Sequence, residues 1–271
     1  MRHTTRTRRT VAAALAAPLL VSGLAACGSE SGTNGGSDAA PVSEGLESGE
    51  SVDKADFIAD LKAGMESATT AQMEMEMNLG QSPIRAEGEM DYSGDAIAMD
   101  MTMESGMTQE PLELVLVDNV MYLNMGQMSN GKYIEYDLSD AKNLPPGMDQ
   151  MAEQLDPLAA FDSMEAALTS VTFEGDEDVD GDRLSHFELT MDTSKIETMK
   201  EIPAQAGLPK EVTYDLWLDG ENRMRQMNMV MEMATKAEID AKIFDWGEPV
   251  EIEAPAKSEV VKAPPMDQMP G

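Results

Sequence analysis

The 271-residue chain has one cysteine, Cys27, and two histidines, of which His186 alone lies beyond the N-terminal leader. A lone cysteine forms no intrachain disulfide, so the fold must rest on a packed core. One histidine removes most metal-site schemes and most Ser-His or Cys-His schemes. The chain has neither a Gly-rich phosphate loop nor a G-x-S-x-G turn, the devices that cradle nucleotide phosphates and expose a hydrolase serine. Aromatics are scarce at 4%. Basic residues are few as well: 19 Lys and Arg stand against 51 Asp and Glu, a formal net charge of −32. Such a chain lacks the basic face that nucleic-acid binding requires, and it is repelled by anionic lipid headgroups. With acids everywhere, no general acid/base pair can be singled out.

What the sequence does have begins at its N-terminus. Arg2, Arg6, Arg8 and Arg9 precede an apolar run over residues 11–21, too short to span a bilayer comfortably. Leu24-Ala25-Ala26-Cys27 follows and resembles a bacterial lipobox. That resemblance implies a signal peptide over residues 1–26, diacylglycerol on the Cys27 sulfur and anchoring on the outer face of the cell membrane. Two or more acyl chains hold a protein there stably. The Arg8-Arg9 pair is not followed by Phe-Leu, which leaves the export route open between Sec and Tat. Residues 28–52 are Gly, Ser and Glu with almost nothing apolar, and with Cys27 they read as a lipidated, disordered tether. At ~5–6 Å × √n its span is roughly 25–30 Å.

From residue 53 the pattern becomes that of a folded domain. Phe57, Ile58, Leu61 and Met65 follow helical spacing, with Asp53 placed to cap. The period then changes to two. Met73, Met75, Met77 and Leu79 alternate with polar residues, as do Met99, Met101 and Met103 further on. Leu114 and Leu116 lie in a more continuous apolar run. Asp118-Asn119, Asn130-Gly131 and Asp180-Gly181 are hairpin turns. Residues 139–170 break the pattern, with Pro145-Pro146-Gly147 irregular and a helix carrying Leu158, Phe161, Met164, Ala167 and Leu168. Residues 194–201 read as a short helix. Met227, Met229, Met231 and Met233 form a last stripe, and a final strand ends at Trp246. The sum is an α+β fold: one curved antiparallel sheet of about nine to eleven strands wrapped over two or three helices, with no βαβ alternation. Residues 256–271 read as a disordered tail.

Four segments together resemble a known family. They are Val117-Asp118-Asn119-Val120-Met121-Tyr122-Leu123 with Gly131-Lys132-Tyr133-Ile134; Val179-Asp180-Gly181 with His186-Phe187; Trp217-Leu218-Asp219-Gly220 with Arg223-Met224; and the stretch from Trp246-Gly247-Glu248-Pro249 to Ala254-Pro255. In order and spacing they are similar to the LppX/LprAFG-like lipoproteins of actinobacteria, within the broader LolA-like fold, over roughly residues 53–255. The resemblance implies a half-barrel sheet around helices with an apolar pocket for acyl chains. It further implies non-catalytic binding of a lipid or glycolipid, and its transport across the envelope. It implies no cofactor and names no protein partner.

Methionine is the compositional outlier, with 25 in the chain. The stripes Met73, Met75, Met77, Met99, Met101, Met103, Met227, Met229, Met231 and Met233, together with Leu114 and Leu116, are the candidate lining of a lipid cavity. Thioethers adapt to varied apolar shapes. The same stripes also fit a plain Met-filled core, or a Cu(I) site built on M-x-M spacing. A filled core would leave an acidic interaction module. Asp176, Asp178 and Asp180 outline a calcium-like loop, but position twelve is Phe187 where a bidentate Glu is required. A hairpin turn with an acidic rim is the simpler reading. His186 reads as a structural or surface residue.

Overall fold

The computed structural model describes residues 41–80, 82–93, 97–106, 110–139, 157–196, 199 and 207–263. A short strand β1 (Glu50–Ser51) leads into helix α1 (Lys54–Glu66). Asp53 caps that helix, its carboxylate accepting from the Ala55 and Asp56 backbone N–H groups at 2.9 and 3.3 Å. This satisfies donors that the first turn leaves without intrahelical partners.

Two meanders follow. The first is β2 (Thr70–Leu79), β3 (Ser82–Asp91), β4 (Ala98–Ser105), β5 (Leu112–Val117), β6 (Val120–Asn124) and β7 (Tyr133–Asp137). Helix α2 (Pro157–Ala167) introduces the second: β8 (Leu168–Val179), β9 (Asp182–Asp192), β10 (Glu211–Leu218), β11 (Met224–Met231) and β12 (Ala237–Phe244). A last strand, β13 (Val260–Lys262), closes the described chain. Asp118 and Asn119 both take positive φ, 53° and 60°, the conformation a two-residue hairpin needs to match strand twist.

The strands form one curved, open sheet in the order β1-β8-β9-β10-β11-β12-β2-β3-β4-β5-β6-β7-β13. The meanders are joined where β12 pairs antiparallel with β2. Every pairing is antiparallel except β13 on β7. Two of the thirteen strands lie in segments that read as tether and tail. β1 pairs with β8, and the Val42 amide donates to Asn222 Oδ1 at 2.8 Å, while Val42, Leu46 and Val52 pack on the main core. At the other end the Tyr133 amide donates to the Glu259 carbonyl at 2.9 Å. These pairings use backbone groups and a few isolated apolar residues, so they leave no periodic trace.

The main core lies between the helices and the second meander. Phe57, Ile58 and Leu61 of α1 and Ala167 of α2 pack with Val171, Phe173, Phe187, Leu189, Leu216 and Met229. Phe187 sits between Phe57 and Phe173, with ring centroids 5.1 and 5.3 Å away. Gly64 lets α1 sit directly on the Glu221–Asn222 backbone, where any Cβ would collide with the Asn222 carbonyl. Leu168, assigned by its spacing to the helix, instead opens β8, and its side chain is buried in this core. Two smaller clusters lie over the first meander, around Leu116, Met121 and Tyr136 and around Ala71, Met90 and Ile243. Among the described residues neither contains a helical side chain. The short helix expected over residues 194–201 appears as a 3-10 turn at Thr193–Lys195 followed by an extended Ile196; Met199 is buried in the main core, and residues 197, 198, 200 and 201 lie outside the described residues.

Candidate functional site: the methionine face

The ladder register gathers the stripes on one face of the sheet, because residues directly opposite on paired strands point the same way. One row runs Leu216, Met227, Ala241, Met75, Ala86, Met103, Leu112. The next runs Ile243, Met73, Gly88, Met101, Leu114, Leu123, Ile134. Met229 aligns with Ile239 and Met77, and Met99 lies between Met90 and Leu116. Met233 falls just past the end of β11 and packs partly on the main core.

The rows hold a feature that the stripes alone do not disclose. On β3 the inward positions between the β2 and β4 methionines are Ala86 and Gly88. The result is a low floor with Met73 and Met75 on one wall and Met101 and Met103 on the other. Gly88 is required by close approach: a Cβ there would lie 2.5 Å from the Asp100 carbonyl oxygen. The alternation Ile84, Ala86, Gly88, Met90, Tyr92 already puts both on the apolar side of the strand, and the register shows which methionines flank them.

Burial divides the candidates. Met229, Met231 and Leu116 are core residues at 4%, 7% and 3% exposure. Met73, Met75, Met77, Met99, Met101, Met103, Leu114 and Met227 are half-buried. None of the described core clusters includes Met75, Met77, Met101 or Met103. Nearby, the Tyr92 hydroxyl donates to Met90 Sδ at 2.9 Å, and burial pushes the phenol up to about 12. Cys27 and residues 145–148 lie outside the described residues, as does the side chain of Leu158.

The opposite face is acidic. Glu74 and Glu87 are in register, as are Glu89 and Asp100. The Asp100 carboxyl is raised above its ordinary value by burial, and the charges of Glu89 and Glu113 add to this. Two open hollows of about 330 and 290 Å³ lie here, the first edged by Glu74, Glu76, Glu87, Glu104 and Asp240 together with Arg85 and Lys242, the second by Glu74, Glu87, Glu89 and Asp100. Their charged rims do not suit an alkyl chain.

The remaining candidates are occupied by structural partners. Arg183 Nη2 lies 3.1 Å from Asp176, and Lys242 Nζ 2.6 Å from Asp180. Among the described residues no group of three or more His, Cys, Asp or Glu side chains is placed to hold a metal ion. His186 stacks on Trp217 with centroids 4.4 Å apart and planes 9° from parallel. Its Nδ1 lies 3.1 Å from Glu177 and its Nε2 2.9 Å from Asp215. The Trp217 indole N–H donates to Glu177 at 3.0 Å and, with the His186 hydrogen bond, holds that carboxyl below its ordinary range. No helix among the described residues is long and apolar enough to cross a membrane.

The architecture defines a class: a mostly antiparallel, curved open sheet with helices against part of one face. The model of the LppX_LprAFG lipoprotein family matches residues 53–252, and the chain belongs to that family. Among solved structures, LprF from Mycobacterium bovis is 15% identical with a TM-score of 0.49, the match covering 80% of this chain and 100% of that one. LppX from Mycobacterium tuberculosis is 11% identical with a TM-score of 0.49, over 74% and 100% of the two chains. A LolA superfamily protein from Nitrosomonas europaea is 9% identical with a TM-score of 0.28, over 74% and 96%. A search of curated proteins finds no match.

Proposed function

We propose that this lipoprotein is a non-catalytic carrier whose methionine face shields the acyl chains of a lipid or glycolipid. The observation that carries the reading is the low floor of Ala86 and Gly88 between the half-buried walls of Met73, Met75, Met101 and Met103. Half-buried methionines on two strands flanking this floor leave apolar surface that a ligand's alkyl chain can cover. Each methylene taken from water contributes about 0.8 kcal/mol, so a single acyl chain supplies ample affinity without a specific polar network. Thioethers on flexible stems mould to chains of differing shape.

In this reading the Cys27 anchor places the domain at the outer face of the membrane. The acidic outer face keeps the domain off anionic headgroups, so the tether substitutes for electrostatic attraction. Loading from the membrane and release to an acceptor complete the transfer. The test is titration of a fluorescent long-chain lipid analogue into the delipidated full chain carrying Cys27→Ala, beside the same chain with Met75→Lys. Saturable binding that the charged variant loses supports the reading; binding that the lysine leaves unchanged removes the site from this face.

A further inference from the structure

We infer that Met73, Met75, Met101 and Met103 form a binding site for a soft monovalent metal ion, Cu(I), on the inner face of the sheet. The argument does not rest on lipid carriage. It begins with register. Met73 and Met101 are both directly opposite Gly88, and Met75 and Met103 are both directly opposite Ala86. Two thioethers on β2 therefore confront two on β4 across a strand that offers a hydrogen and a methyl group. Adjacent strands are ~4.8 Å apart, which sets β2 and β4 roughly 10 Å from each other. From that separation, methionine side chains turned inward can reach a common ion above β3. A larger residue at either β3 position would hold them apart.

Availability is the second point. Met229 and Met231 are locked in the core, and the Met90 sulfur already accepts from Tyr92. Met75, Met101 and Met103 are half-buried and belong to none of the described core clusters, while Met73 packs partly on the cluster around Ala71, Met90 and Ile243. They combine solvent access with three rotatable bonds each, which lets four sulfurs converge on one ion.

Chemistry selects the ion. Thioethers are neutral, soft donors; they favour Cu(I) and ignore Mg²⁺ or Ca²⁺. Because the ligands are uncharged, the bound ion keeps its positive charge. The field that stabilises it comes from the other side of the sheet, where Glu74, Glu87 and Glu89 alternate with the methionines and the nearest alanine and glycine, while Glu76 there is paired with Arg85 at 3.1 Å and Lys242 lies in register with Glu74. A formal charge of −32 attracts cations to the whole domain. Hard cations stop at the outer carboxylates, and the soft one is retained by sulfur.

The experiment uses the full chain with Cys27→Ala, so that no thiol is present, delipidated and held under anaerobic reducing conditions. Cu(I) is titrated while the methionine methyl resonances are followed by NMR. The expected result is saturation near one equivalent, with the methyls of Met73, Met75, Met101 and Met103 moving together and that of Met128, 72% exposed, unmoved. Replacing the four by leucine preserves volume and apolar surface. That variant is expected to lose at least tenfold in Cu(I) affinity, measured against a chromogenic chelator, while its far-UV circular dichroism matches the parent's and shows that it folds. Copper affinity left intact in the folded variant would instead count against the metal site. So would methyl shifts spread evenly over the exposed methionines, or no shift at all in the parent chain, which needs no variant to fold.

Discussion

Met75 and Met103 face each other across Ala86, each in direct register with it and each half-buried. Between them the Ala86 side chain is 4% exposed, so the floor is packed while its walls are open. The same residue type elsewhere on the sheet has the reverse status. Met229 is 4% exposed and belongs to the same buried core as Phe57, Phe173 and Phe187. The difference follows the helices, whose described side chains join the core over the second meander only.

This contrast predicts a stability difference between two chemically identical substitutions. Met229→Ala is expected to cost about 2–4 kcal/mol, because it empties a filled core position. Met101→Ala is expected to cost less than about 1 kcal/mol, since its side chain is already partly solvated. Urea unfolding of both variants checks this. Equal costs would place Met101 in a packed core and remove the open face.

Gly88 bears on both the floor and the backbone. Gly88→Ala places a Cβ 2.5 Å from the Asp100 carbonyl oxygen, forcing β3 and β4 apart. A loss of about 1–3 kcal/mol is expected, together with weaker lipid-analogue binding. A Gly88→Ala chain as stable as the parent would show that the two strands yield freely there.

Asp100 makes stability depend on pH. Its folded value is raised, by burial first and then by Glu89 and Glu113. A carboxyl raised on folding opposes the fold once it ionises. Stability therefore declines as pH rises from the unfolded value of about 3.9 to the higher folded value, and is flat above it. Asp100→Asn is expected to stabilise the protein at neutral pH by about 0.5 kcal/mol, a figure reduced for the group's partial exposure. The gain disappears below about pH 3.5, where both states hold the proton. Thermal melts at pH 7 and pH 3 measure it. A gain that persists at pH 3 would point to a cause other than charge.

Much of the fold is written in local pattern. Alternation marks β2 and β4, Asp118-Asn119 marks the turn between β5 and β6, and Asp53 marks the start of α1. The stripes likewise show which side of each strand is apolar. Three things are written only in distant contacts. Strands β1 and β13 are two and three residues long and owe their place to backbone pairing with β8 and β7. Leu168 continues the helical spacing of α2, yet pairing of β8 with β9 begins there, opposite Met191. Alternation places Ala86 and Gly88 on the apolar side of β3, but which methionines stand opposite them is set by the register. The same holds for burial: nothing in the spacing of Met229 separates it from Met101.

The most direct measurement of the carrier reading is native mass spectrometry of the full chain with Cys27→Ala, gently purified from its own host, alongside the same chain with Met101→Lys. The account predicts a mass excess on the first that dissociates on activation and is extracted as lipid, and its absence from the folded lysine variant. A bare protein mass that does not change on incubation with envelope lipids, or an adduct that the lysine leaves in place, would contradict it.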